Sequence, residues 1–69
     1  MIVYARVNRI GWVHLWATRE AYENGEASAH FFDPRTDPRW PDAVLDDDQR
    51  ARLKAGELVE IEDPGYLAD

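Results

Sequence analysis

The sequence predicts a small α+β domain, an antiparallel sheet of three to four strands packed with one short capped helix. Three observations carry that reading. Residues 2–8 and 12–17 alternate in side-chain character at every second position, the period of a strand. Residues 46–56 hold the start and stop signals of a helix in the right order. Residues 58–62 return to the two-residue alternation. With 69 residues the chain has room for one core, so residues 1–69 are read as a single domain. A domain of this size buries only about 60% of its unfolded surface, and the large aromatics must supply much of the packing.

In the first strand, "IVYARVN", Val3, Ala5 and Val7 fall on one face and Tyr4 and Arg6 on the other. "NRIG" reverses the chain, with Asn8 and Gly11 able to take positive φ. In the second strand, "WVHLWA", Val13, Leu15 and Ala17 oppose Trp12, His14 and Trp16. Apolar side chains on both faces place this strand centrally in the sheet. Residues 18–23 fit a short helix capped by Thr18 and stopped at Asn24-Gly25. They fit equally a strand extension that ends in a type I′ turn at the same dipeptide. Residues 26–32 read as a third strand. Three prolines among residues 33–42 exclude helix and inner strand there, and Trp40 is expected to pin this loop to the domain.

The helix is expected over residues 47–55. Asp46 suits the N-cap, because its side chain can accept from free N–H groups of the first turn. Gln49, three residues on, completes a capping box. Asp47 and Asp48 lie at the positive end of the helix dipole, and Arg50, Arg52 and Lys54 lie toward the negative end. Gly56 stands where a left-handed C′ residue belongs. The expected buried stripe runs through Val44, Ala51, Ala55 and Leu58, with Leu45 and Leu53 beside it. In the last strand Val59 and Ile61 point inward, and Leu58, Glu60 and Glu62 outward. After Pro64-Gly65, Tyr66 and Leu67 are placed to dock on the domain.

Charge is distributed unevenly. Residues 1–41 carry five acids and five bases, which sum to zero. Residues 42–69 carry nine acids and three bases, and so hold the whole net charge of −6. This opposes direct binding to a nucleic-acid backbone, which needs clustered Lys and Arg. It suits either a solubilising surface or a docking surface for a basic partner. The N-terminal apolar run stops at Arg6, too short for a signal peptide or a bilayer span. Cysteine is absent, in keeping with a reducing, cytoplasmic location.

Catalytic and metal chemistry finds little to build on. Asp46, Asp48 and Glu57 match the first, third and twelfth positions of a calcium loop. Arg50 occupies its fifth position, however, and Ala51 stands where the turn requires glycine. His14 and His30 approach one another, with Asp33 nearby, if their strands pair, but they lack the close spacing of a metal motif. Ser28 is the one serine, sharing a strand face with His30, with no nucleophile elbow or oxyanion loop beside it. No catalytic residue, cofactor or metal site is therefore expected.

The expected function is non-enzymatic protein binding. Helix capping explains Asp47 and Asp48 without a partner, and Glu57, Glu60, Glu62 and Asp63 are the better candidates for an acidic docking surface, which Asp47 and Asp48 join if the helix start lies on the same side. Its partner would be a protein with a basic surface, and the effect inhibition or regulation. In size, acidity and lack of catalytic residues the chain resembles in type the small inhibitors of phages and mobile elements, such as anti-CRISPR proteins. The alternative is a small antitoxin, adaptor or structural subunit that meets its partner through the aromatic sheet face. Trp12, Trp16 and Trp40 are the candidate contacts there, and the helix or a second copy of the chain is expected to cover that face.

Overall fold

Residues Ile2–Val7 form β1, Val13–Trp16 β2, Arg19–Glu23 α1, His30–Phe32 β3, Asp47–Lys54 α2 and Val59–Glu62 β4. The structure is a computed structural model that describes residues 1–40 and 44–68. Pro41 and Asp42, the end of the proline-rich stretch, lie outside the described residues. The four strands make one antiparallel sheet in the order β3-β2-β1-β4, and the α+β class read from the sequence holds.

Register brings the small aliphatic side chains of every strand onto one face. Ala5 lies between Leu15 and Val59, Val3 faces Ile61, and Val13 lies between Val7 and Phe32. Val3, Ala5, Val13, Leu15, Val59 and Ile61 are at most 1% exposed. That face is closed by Leu45 and Leu53 of the α2 region and by Trp40, Tyr66 and Leu67 from the loops. The helix itself therefore buries Leu53, and Leu45, just before the N-cap, is buried beside it, each four positions from Gln49. Val44, Ala51 and Ala55 of the expected stripe are exposed, Val44 at 71%. Only one narrow line of α2 reaches the sheet, because Gln49 between the two leucines is turned to the β4 edge, where its side-chain N–H donates to Glu60 O at 3.0 Å.

The ambiguity over residues 18–23 resolves as helix. Thr18 Oγ1 accepts from Ala21 N at 3.1 Å. Gly25, at φ 74°, donates to Tyr22 O while Glu26 N donates to Ala21 O, a paired C-terminal cap. Asn24-Gly25 thus stops a helix and makes no hairpin. The third strand is shorter than residues 26–32, because the chain leaving this cap is held by Trp16, whose indole N–H donates to Glu26 O at 2.9 Å. Asn8 keeps a negative φ. Its contribution to the reversal is its side-chain oxygen, which accepts from Ile10 N and Trp12 N at 3.1 and 3.0 Å.

Candidate protein-binding face

The second face of the sheet carries the aromatic and acidic side chains together. Strand pairing sets them in rows. Phe31 of β3, His14 of β2 and Arg6 of β1 make one row. Trp16, Tyr4 and Glu60 make the next. Ile2 and Glu62 make the last. Trp12, just before β2, tilts against Phe31 at 5.8 Å between ring centroids. Phe31 is 57% exposed and Ile2 47%.

The capped helix α2 does not cover this face, since it packs on the other one. The covering element is α1, and it covers only the middle. Tyr22 meets Trp16 edge-on at 5.0 Å, and Arg19 lies over the Tyr4 ring at 5.7 Å. Arg6 is fastened in turn, donating from Nε to Gly56 O and from Nη1 to the Tyr22 hydroxyl, both at 2.9 Å. Trp12 and Phe31 at one corner and Ile2, Glu60 and Glu62 along the β4 side stay outside that roof.

His14 is locked in one tautomer by its neighbours. The Asn8 side-chain oxygen is already taken by two backbone N–H groups, so its amide NH2 faces His14 Nε2 at 3.0 Å and donates. Nε2 is then an acceptor, and Nδ1 carries the hydrogen that it donates to Ser28 Oγ at 2.8 Å. A histidine that donates to a serine is not positioned to take that serine's proton. The ring also lies near parallel to Phe31 and Trp16, at 20° and 27°.

Two expectations are corrected here. His14 and His30 do not converge. His30 pairs with Leu15 and lies on the core face, where it stacks on Tyr66 at 5.1 Å. Ser28 does not share a face with His30 either, because the chain bends at Ala29 and delivers Ser28 to His14. Among the described residues no group of three or more His, Asp or Glu side chains is placed to hold a metal ion.

The acids divide by their surroundings. Asp47 pairs with Arg50 at 3.4 Å, and Asp48 and Glu57 with Arg52 at 3.8 and 3.5 Å, all within or beside α2. Asp63 is taken up by backbone N–H groups of the residues after it. Glu62 pairs with the amino group of Met1 at 3.0 Å. Glu60 has no ion pair among the described residues, and its row contains Tyr4 and Trp16. Trp40 is set apart from the other two tryptophans, since it packs on the core beside Phe32 at 5.3 Å.

No family model, curated protein or solved structure matches the chain. No helix among the described residues is long and apolar enough to cross a membrane.

Proposed function

We propose that the protein is a non-enzymatic binding protein whose second sheet face docks on a basic surface of a partner protein and thereby inhibits or regulates it. One observation carries this reading: Glu60 and Glu62 share a sheet face with Tyr4, Trp12, Trp16 and Phe31. An aromatic platform on one face with Glu60, which has no ion pair among the described residues, and with Glu62, paired only with the Met1 amino group, is suited to guanidinium and ammonium groups, which stack on rings and pair with acids. The acidic and the aromatic surfaces, alternatives in the sequence, become one surface because β4 pairs with β1.

The competing role for these acids is to keep the β4 edge from pairing with another chain, as charged edges do. That edge has other protection. Gln49 donates to Glu60 O at 3.0 Å and Arg52 to Leu58 O at 3.5 Å, so α2 side chains occupy one carbonyl of this strand and one just before it. Glu60 is then spare for a partner. If the basic surface is the nucleic-acid groove of that partner, occupation excludes the nucleic acid, which is the inhibitory action of the phage-borne class.

The test is affinity capture with the wild-type chain and with Glu60→Lys/Glu62→Lys, followed by identification of co-eluting proteins. The expected result is a basic protein retained by the wild type, lost on charge reversal and eluted by moderate salt, since exposed charges are screened over about 10 Å at 0.1 M. The thermal midpoint of the variant should stay within a few degrees of wild type, as for other surface substitutions. Capture that ignores both salt and charge reversal, but fails in Trp12→Ala/Phe31→Ala, would give the surface to an adaptor or antitoxin role instead.

A further inference from the structure

We propose that a groove at the other end of the same face, where β1 and β2 meet their turn, binds a small anion carried on a flat ring, such as an aryl phosphate or aromatic carboxylate. The groove has a volume of about 460 Å³ and is lined by Arg6, Asn8, Arg9, His14 and Trp16, with Gly56 at its margin. That volume falls in the range of about 300–1,000 Å³ usual for small-molecule sites and exceeds what a bare anion fills.

The arginines single this groove out. The chain has seven. Arg19, Arg35, Arg39, Arg50 and Arg52 are each ion-paired with a carboxylate. Among the described residues Arg6 and Arg9 have no such pair, and both line the groove. The partners of Arg6 are neutral, a backbone carbonyl and a tyrosine hydroxyl. These hold the guanidinium still and use two of its five N–H groups, leaving three. The side chain of Arg9 has no ion pair or hydrogen bond among the described residues, and no carboxylate lines the groove. In a chain of net charge −6, two arginines without acidic partners at one concavity make a local reversal of sign.

The wall supplies the second half of the ligand's chemistry. His14 and Trp16 present near-parallel rings with centroids 6.1 Å apart. Both are fixed, His14 by Asn8 and Ser28 and Trp16 by Glu26 O. A rigid aromatic platform costs little ordering entropy when a ring stacks on it. Free guanidinium N–H donors beside it match the oxygens of a phosphate or carboxylate. This inference shares the Trp16 ring with the protein-partner reading but rests on Arg6 and Arg9 and on no acid, so the Arg9 substitutions test it without touching Glu60 or Glu62.

Titration of the 69-residue chain with phenyl phosphate, followed by amide, indole and guanidinium NMR shifts, tests it. Saturable shifts are expected at Asn8, Arg9, Gly56 and the Trp16 indole, with half-saturation at about 1–10 mM for a ligand this small. Inorganic phosphate, phenol and acetate, run in parallel, should each bind several-fold more weakly. Arg9→Glu should weaken phenyl phosphate about tenfold or more, with an unchanged melting midpoint that certifies the fold. Arg9→Gln repeats the test without introducing a negative charge and should weaken it in the same direction. Equal binding of inorganic phosphate or acetate removes the ring from the proposal, and equal binding of phenol removes the anion. Shifts that do not saturate, or that survive both Arg9 substitutions, overturn the site.

Discussion

Asp63 shows how one carboxylate can organise a segment. Oδ1 accepts from the backbone N–H of Gly65 and Tyr66, and Oδ2 from Leu67 and Ala68, at 2.7–3.0 Å. The four donors form a small anion-binding nest, and closing it lays Tyr66 and Leu67 on the core. Partial burial pushes the Asp63 pKa up, but the four backbone N–H groups together outweigh it, so the group lies below the ordinary carboxylate range. A depressed folded-state pKa means the carboxylate's stabilisation is present above the unfolded value and is lost as pH falls through the folded one. Asp63→Ala should therefore lose about 1–3 kcal/mol at pH 7. The gap between wild type and Asp63→Asn should close as pH drops below about 4. Urea midpoints measured across that range check both, and a gap independent of pH would mean the charge on Asp63 contributes nothing. Tyr66 does not interfere, because burial first and Asp37 second hold its hydroxyl above its usual range. The sequence reading placed Asp63 with the docking acids. A nest made by the next five residues leaves no periodic signal, and only the Asx-Pro-Gly order hints at a turn.

Among the elements, α2 was the most legible, since caps are local chemistry. Asp46 accepts from Gln49 N at 2.7 Å and Gln49 Oε1 accepts from Asp46 N at 2.9 Å, the reciprocal box expected from the two residue types. At the far end, Gly56 N donates to Leu53 O and Glu57 N to Arg52 O, both at 3.0 Å. Gly56 has φ 83°, and a Cβ built there meets nothing within 4 Å. Substitution there is thus a pure test of backbone conformation. Gly56→Asn should be milder than Gly56→Val, which should cost about 1–2 kcal/mol because a β-branched residue tolerates left-handed φ poorly. Equal thermal shifts for the two would contradict a conformational origin. What hid from the sequence was α1, whose five residues bury no side chain fully and whose Asn-Gly stop is also a hairpin signal. Sheet order hid too. Alternation says which residues share a face of one strand, and is silent on which strand lies beside which. That silence is why the acids of β4 and the aromatics of β2 looked like rival surfaces.

At the scale of the whole molecule, the sheet order β3-β2-β1-β4 sets the last strand against the first. Ala5 lies between Leu15 of β2 and Val59 of β4, and Val3 faces Ile61 of β4. Half of the core around β1 therefore arrives from residues nearly sixty positions away in sequence, as the 61-residue separation of Met1 and Glu62 shows. Contacts so distant in sequence close late, because loop-closure entropy opposes them until the rest of the chain is ordered. A chain cut after Ala55 should lack a cooperative thermal transition by circular dichroism, although β1, β2, α1 and β3 are all present. A sharp transition in that fragment would show that the β4 pairing is dispensable. During synthesis, the same order leaves β1 with one unpaired apolar edge for as long as β4 is still inside the ribosome. At about 5–20 residues per second the roughly forty residues between the end of β2 and the start of β4 take about 2–8 seconds to add. For that interval the nascent chain carries an open strand that another nascent copy could occupy, and the arrival of Val59–Glu62 is what commits the protein to pairing with itself.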